Sequence, residues 1–416
     1  MGKAKPFSIS KKEVWEAFKR VKSNGGAAGV DNQSIVEFER DLSNNLYKLW
    51  NRMSSGSYLS NPVLRVEIPK GNGGVRPLGI PTVVDRIAQM VAKGRLEPDL
   101  EKVFHPDSYS YRPGKSAVDA VGVARKRCWQ YGWVLDLDIK GFFDNIDHEL
   151  LMRAVCKHTT CRWIRLYIER WLKAPVQMPD GSLVDSYKGT PQGGVISPLL
   201  ANLFLHYAFD LWMQRNHPDI LFERYADDVI CHCRSETEAK RLLLQIMQRM
   251  AECKLELNLE KTQIVYCRDY RRKGKHPRVK FDFLGFSFRP RVVKAGNGNI
   301  FLGYTPAISN KAAKAMRDVI RSWRLHLRSD KSLEDVSRLF NPILRGWVNY
   351  YGSYSRSKLY RALNPFNLIL AKWVMRKYKR FKGHQRRASR WLLRIRKKSP
   401  YLFAHWQLAY ESKAGQ

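Results

Sequence analysis

The sequence predicts a mixed α/β domain to about residue 304, followed by an all-helical, strongly basic domain. Three observations predict it. From Val63 onward, short alternating apolar and polar runs are interleaved with longer runs of 3.6-residue period. From Asn310 the apolar spacing is helical. Between Lys372 and Lys398, Lys and Arg recur without a single Asp or Glu.

The elements follow in order. In "SKKEVWEAFKRVKSNGG", Ser10 and Glu13 form a capping box, Val14, Phe18 and Val21 mark one face, and Asn24 to Gly26 end the helix. A Gly-rich segment, "GGAAGVD", precedes a second helical pattern to about Met53. "PVLRVEIPKGNGGVRPLGIP" reads as two strands around a glycine-rich turn, flanked by Lys70 and Arg76. A helix spans Asp85 to Leu100. "WVLDLDIKGFFDNI" alternates like a strand and runs into the helical "DHELLMRAVCKH". "GTPQGGVISPLLANLFLHYAFDLWMQ" is a glycine turn feeding a long apolar helix. "LFERYADDVICHC" reads as a hairpin; an amphipathic helix capped by Ser235 and Glu238 follows, and the strand-like "FDFLGFSFRP" closes the section. Beyond it, Ala312, Met316, Ile320, Trp323 and Leu327 mark the apolar side of a helix whose basic side runs from Lys311 to Arg328.

Composition narrows the function. The chain has 416 residues, 44% hydrophobic and 12% aromatic, so it is globular; 74 Lys and Arg against 38 Asp and Glu leave a net charge of +36. That excess points to a polyanionic partner, nucleic acid before an anionic membrane, because an ordinary solvated surface mixes both signs. "MGKAKPFSIS" lacks the apolar core of a signal peptide, Pro6 occupies the place a myristoylation signal gives to Ser or Thr, and no apolar run is long enough to span a bilayer. Seven scattered cysteines fit thiols in a reducing cytoplasm. "CKHTTC" loosely matches metal-ligand spacing but lacks a partner pair, so Cys156 and Cys161 read as core or surface thiols.

Hydrolase motifs are missing, and the "GKS" in "PGKSAVDA" lacks the first glycine of a phosphate loop, since Tyr109 stands there. The carboxylates are more telling. Asp138 ends an apolar strand and Asp227 sits at a hairpin tip; neighbouring strands would converge the two. Carboxylates gathered so closely need a counter-charge, and hard Mg²⁺ is the natural one, two ions about 4 Å apart clamping the oxygens of phosphoryl transfer. One Asp alone would be a turn or cap residue; the pair on so basic a chain argues for a site. Asp228, next along the strand, faces elsewhere unless the turn intervenes, which leaves it a supporting role.

"YADD" with the upstream "DIKGFFD" resembles the signature of reverse transcriptases. "IPKGNGGVRPLGIPTVVDRIAQ", "SYRPGKSAVDAV", "GTPQGGVISPLLANLFL", "LNLEKTQIV" and "FDFLGFSF" follow in the order of group II intron reverse transcriptases; "GAAGVD" resembles their N-terminal extension and "LRGWVNYY" their thumb, or maturase domain X. The resemblance implies a right-hand polymerase: an α/β (α+β) fingers and palm with an antiparallel palm sheet over 1–304, its extension about 1–55, then an all-helical thumb and domain X over 305–416. Asp138 and Asp227 would be the principal metal ligands, with Asp228 and the Ile139 carbonyl beside them. Lys70 and Arg76 would hold the incoming triphosphate, although without the motif they read as a charged hairpin tip. Phe143 resembles the aromatic gate beneath the sugar, with core packing as its plainer role, and Gln192 would line the nucleotide pocket. Lys311, Lys314, Arg317, Arg321 and Arg324 would lie along a duplex, and Arg376, Lys377 and Arg380 would bind structured RNA or target DNA. The aromatics among them, Trp373, Tyr378, Phe381 and Trp391, read as helix core.

With no cysteine after Cys267, the layout resembles the endonuclease-lacking lineages, including the IIC type. The resemblance therefore implies an Mg²⁺-dependent RNA-directed DNA polymerase, with Mn²⁺ as a substitute ion, in the bacterial cytoplasm. Its partners would be an RNA template, a DNA primer, deoxynucleoside triphosphates, intron RNA and target DNA. Two other roles stay open: an intron-free relative working in repair or phage defence, and a splicing factor with an idle polymerase. The intact "YADD" and "DIKGFFD", with Lys70 and Arg76, weigh against idleness.

Overall fold

The structure, a computed structural model, describes residues 5–69 and 74–408. The chain forms two compact units, one of Met1–Ser116, Leu135–Cys231 and Thr237–Gln263, the other of Ala117–Val134, His232–Glu236 and Ile264–Gln416.

In the first unit, the N-terminal helix Lys11–Asn24 begins at the expected capping box, with Ser10 and Glu13 bonding each other's backbone. Val14, Ala17, Phe18 and Val21 form its buried face. The helix Val83–Glu101 lies among the buried elements of this unit and carries Arg86, whose guanidinium donates to the carbonyls of Gly25 and Ala27. Those bonds tie the Gly-rich segment down. A side chain at Gly29 would come within 2.8 Å of the Thr82 backbone, so the close approach requires glycine there.

The strands β1 (Val63–Pro69) and β2 (Val75–Ile80) pair antiparallel, Ile68 opposite Arg76, as the alternation predicts. The short strands β4 (Val176–Gln177) and β5 (Leu183–Val184) extend this sheet in the order β2-β1-β4-β5. A second sheet has the order β6-β7-β3-β8, from β3 (Trp133–Asp138), β6 (Leu221–Tyr225), β7 (Asp228–Cys233) and β8 (Gln263–Tyr266). β6 and β7 are the expected hairpin strands. The apolar run after "PQGG" is helical from Ser197 to Asn216, with one π turn at His206–Asp210.

The second unit holds a three-stranded sheet, β9 (Phe281–Phe283), β10 (Phe286–Lys294) and β11 (Ile300–Ile308), in the order β11-β10-β9. From Asn310 onward every regular element among the described residues is helical. One apolar cluster organises them, including Ile320, Trp323, Leu325, Phe340, Phe366 and Trp373. Trp373 and Phe381 are buried and Tyr378 and Trp391 pack against the cluster, so these aromatics are helix core.

One expectation is corrected here. The basic helix does not run on to Arg328: it spans Asn310–Ser322, Arg324 takes a left-handed conformation at φ 45°, and Leu325–Leu327 is a 3₁₀ turn. Trp323 stacks on Phe340 at 4.3 Å and Leu325 is fully buried, whereas Leu327 is exposed. Residues two apart point to opposite sides of an α-helix, so burying both Trp323 and Leu325 forces the chain to leave it.

Candidate functional site

The strand β3 buries Val134, Leu135 and Leu137 and leaves Asp136 and Asp138 partly accessible. A turn from the far end of this unit, Asn258–Thr262, holds Asp138: its carbonyl accepts from the Asn258 amide at 2.8 Å, and its amide reaches Thr262 Oγ1 at 3.4 Å. Lys261 Nζ lies 3.1 Å from the Asp138 carboxylate. Just beyond, Ile139 is buried and bridges Leu257, and the Lys140 amide donates to the Glu256 carbonyl.

Gly141, at φ 54°, then turns the chain into the short helix Phe142–Asn145. Phe142 goes into the core, and Phe143 stays half-buried with its ring 5.3 Å from Phe142. The Phe143 carbonyl accepts from the Thr190 amide at 2.7 Å, which docks the "GTPQGG" loop against this helix. Side chains at Gly189 or Gly193 would collide with the backbone of Asp144 or of Gly79. Gln192 donates to Asp144 at 3.3 Å, and its carbonyl accepts from the Gly79 amide of β2 at 3.0 Å. Arg76 is exposed on β2; Lys70 lies outside the described residues.

The hairpin brings Asp227 to the same place. Its turn is Ala226–Asp227, with Ala226 left-handed at φ 56°, so the turn and not strand alternation aims the Asp227 carboxyl. Burial raises the pKa of this carboxyl; Asp138 raises it further, and Arg76 and Lys261 oppose the shift. These four charges therefore share one field, which the sequence signalled for Asp138 and Asp227. Asp228 opens β7 on the exposed side.

Three contributors to the site were missed as site residues, although each lies in or beside a quoted motif. Lys261 belongs to "LNLEKTQIV". Tyr111 belongs to "SYRPGKS"; it is half exposed, and partial burial, Asp227 and Tyr225 raise its phenol pKa. Arg224 immediately precedes "YADD" and is fully buried against Asp210. The Arg224 backbone exchanges hydrogen bonds with Asp107 and Tyr109, joining the hairpin to the Tyr111 segment.

No group of three or more His, Cys, Asp or Glu that could hold a metal ion is present among the described residues. What the site offers a cation is the Asp138–Asp227 carboxylate pair, a hard oxygen donor set.

On the second unit, Lys311, Lys314, Arg321 and Arg324 are exposed and Arg317 is half-buried, with Arg321 paired to Asp318 at 2.8 Å. Arg376 and Arg380 are exposed; Lys377 instead donates to the Ser329 carbonyl at 2.9 Å. Among the described residues no helix is long and apolar enough to cross a membrane.

The sequence matches two family models: reverse transcriptase (RNA-dependent DNA polymerase) over residues 68–288, and the group II intron, maturase-specific domain over residues 313–392. It is 31% identical over 293 residues to protein YkfC of Escherichia coli (strain K12), covering 61% of this chain and 77% of that protein. It is also 31% identical over 253 residues to the group II intron-encoded protein LtrA of Lactococcus lactis subsp. cremoris, covering 59% of this chain and 40% of LtrA. Among solved structures, apo telomerase from Candida tropicalis, truncated from its C-terminal domain, aligns with a TM-score of 0.41 at 13% identity, over 55% of this chain and 53% of that one.

Proposed function

This chain belongs to the reverse transcriptase (RNA-dependent DNA polymerase) family and carries a group II intron maturase-specific domain, and we propose that it extends a DNA primer on an RNA template and binds intron RNA to promote splicing and mobility. The observation that carries the polymerase reading is the meeting of Asp138 and Asp227, 89 residues apart in sequence, in one field with Arg76 and Lys261. Such a field suits a reaction that moves a polyphosphate.

The family is generally dependent on divalent metal, and in our reading Asp138 and Asp227 hold two Mg²⁺ ions, or Mn²⁺ in their place, with the Ile139 carbonyl and Asp228 in support. The raised pKa of Asp227 fits this role, because a cation relieves what burial and Asp138 impose. Held there, such ions would supply a Lewis acid for phosphoryl transfer.

The remaining steps belong to side chains. Arg76, with Lys70, takes the triphosphate of the incoming deoxynucleotide and stabilises the departing pyrophosphate. Phe143 offers its half-buried ring beneath the sugar, where a 2′-hydroxyl would collide. Gln192 is held at Asp144 beside it, ready to line the nucleotide pocket. Lys311, Lys314, Arg317, Arg321 and Arg324 bind the RNA–DNA duplex, and Arg376, Lys377 and Arg380 bind intron RNA and target DNA. The chain acts in a bacterial cytoplasm in this reading, consistent with seven cysteines none of which forms a disulfide.

The test is primer extension on an RNA template with purified protein, with and without chelator, run beside a splicing assay on the intron RNA encoded next to the gene. Extension that is template-dependent and metal-dependent is expected. A folded protein that never extends a primer would overturn the polymerase reading; extension without any effect on splicing would overturn the maturase reading.

A further inference from the structure

The second unit contains a pocket of about 220 Å³ of which the polymerase reading uses only Arg317. Its walls come from three separate stretches of chain. Along β10, Ser287, Arg289 and Arg291 stand two residues apart and share one face, while Phe286 and Phe288 fill the other and are fully buried. Lys280 reaches in from just before β9. The helix Asn310–Ser322 contributes its N-terminal end and Arg317, and the helix Arg356–Lys377 contributes Lys358 and Arg361.

Six cations thus line one pocket with no carboxylate in its wall; the nearby Asp282 lies 3.7 Å from Lys280. Gathering like charges is costly, and the ionisation shows it. Burial and then Arg289 push the Arg291 guanidinium down to about 10, and burial, Arg361, Arg291 and Arg289 lower the Lys358 ammonium. The arrangement is also held in shape: Arg291 donates to the carbonyls of Thr305 and Ser287, both at 3.2 Å. One donor in the wall is unspent. Ser287 is 4% exposed and its hydroxyl makes no hydrogen bond within the protein.

We propose that this pocket binds a phosphate oxyanion, supplied by a single phosphodiester of a bound nucleic-acid strand. One fixed guanidinium fork, at Arg291, with further cations around it, a buried hydroxyl donor and a helix N-terminus are groups that recognise such an anion. The size selects the source. The volume falls below the roughly 300–1,000 Å³ of sites that enclose a whole small ligand, so it suits a phosphate protruding from a polymer. The inference rests on nucleic acid being the partner, but its test reads binding and not extension, so a failed polymerase leaves the result intact.

The experiment measures binding of the full chain to an RNA–DNA primer–template in which one neutral methylphosphonate linkage is moved along each strand. Wild-type protein is expected to lose about tenfold in affinity at one linkage, or two adjacent ones, the scale of a charge-assisted hydrogen bond. R361Q and R289Q, on different elements and both exposed, should weaken binding to the unmodified duplex by a similar factor and become indifferent to that linkage. Their salt dependence should be shallower by about one unit of slope. S287A should lose about threefold at that linkage, a fraction of one hydrogen bond, with an unchanged melting temperature. Inorganic phosphate, compared with chloride at equal ionic strength, forms a second arm. Equal losses at every linkage would overturn the pocket in favour of a diffuse basic surface. Competition by phosphate with no linkage singled out would overturn the nucleic-acid source. Variants that keep the wild-type response to the linkage would overturn the assignment to these residues.

Discussion

Arg224 and Asp210 form a two-pronged ion pair in which neither side chain is exposed: Nε reaches Oδ1 at 2.7 Å and Nη2 reaches Oδ2 at 2.6 Å. Nη1 bonds Asn202 at 3.0 Å, and Asn202 in turn donates to the Ser110 carbonyl at 2.7 Å. The network anchors the end of strand β6 just before the candidate catalytic aspartate. Removing one partner of a buried pair strands the other charge, so D210N should cost about 3–5 kcal/mol. Chemical denaturation measures this, and a loss below about 1 kcal/mol would reduce the pair to surface-like weight.

In the proposed reaction Asp227 serves at the expense of stability. Its raised pKa means that folding favours the protonated form: the benefit is present at low pH and is lost as pH rises through the folded-state value. At neutral pH the ionised side chain is therefore a burden in the metal-free protein. D227N should leave the melting temperature unchanged or higher while lowering primer extension by about a thousandfold or more, the scale of losing several kcal/mol of metal-ion stabilisation. Binding of intron RNA should survive. Extension at wild-type rates would remove Asp227 from the reaction.

Phe143 stays half-buried while the adjacent Phe142 is 2% exposed, so Phe142 packs in the core and the proposed gate falls to Phe143. F143A should raise ribonucleotide incorporation relative to deoxynucleotide by about tenfold or more, the selectivity a steric contact of one to a few kcal/mol confers. F142A should instead destabilise the fold by about 3–5 kcal/mol. Unchanged sugar discrimination in F143A would leave the ring a packing residue.

His405 should make the second unit acid-sensitive. It is fully buried, its Nε2 lies 2.8 Å from Asn367 Oδ1, and burial lowers its pKa from 6.5 to about 3. Below pH 6.5 the unfolded chain takes up a proton that the folded one refuses, so stability falls as pH drops toward about 3. The slope contributed by this one group is at most about 1.4 kcal/mol per pH unit. Denaturation followed between those limits should show a flatter profile for H405Q; an identical profile would assign the acid sensitivity to other groups.

Much of this was legible along the chain because it is local. The Ser10–Glu13 box, the alternation of β3 and the two-residue turn of "YADD" depend on neighbours within a few residues. The end of the basic helix was not, because Trp323 and Leu325 are drawn out of helical register by the aromatic cluster they enter. Lys261 was not singled out either: it stands 123 residues from Asp138, and a lysine in a polar turn has no periodicity to betray its partner.

Residue order alone therefore specified a reverse transcriptase-type chain, its strands and helices, and the aspartates to watch, since these rest on short-range stereochemistry and on motifs. Tertiary packing decided which charges meet. It set Lys261 on Asp138, buried Arg224 against Asp210, and gathered the cations around Ser287 from three distant stretches. Electrostatic energy depends on distance through space and on the burial that surrounds a charge, and neither is written in sequence separation.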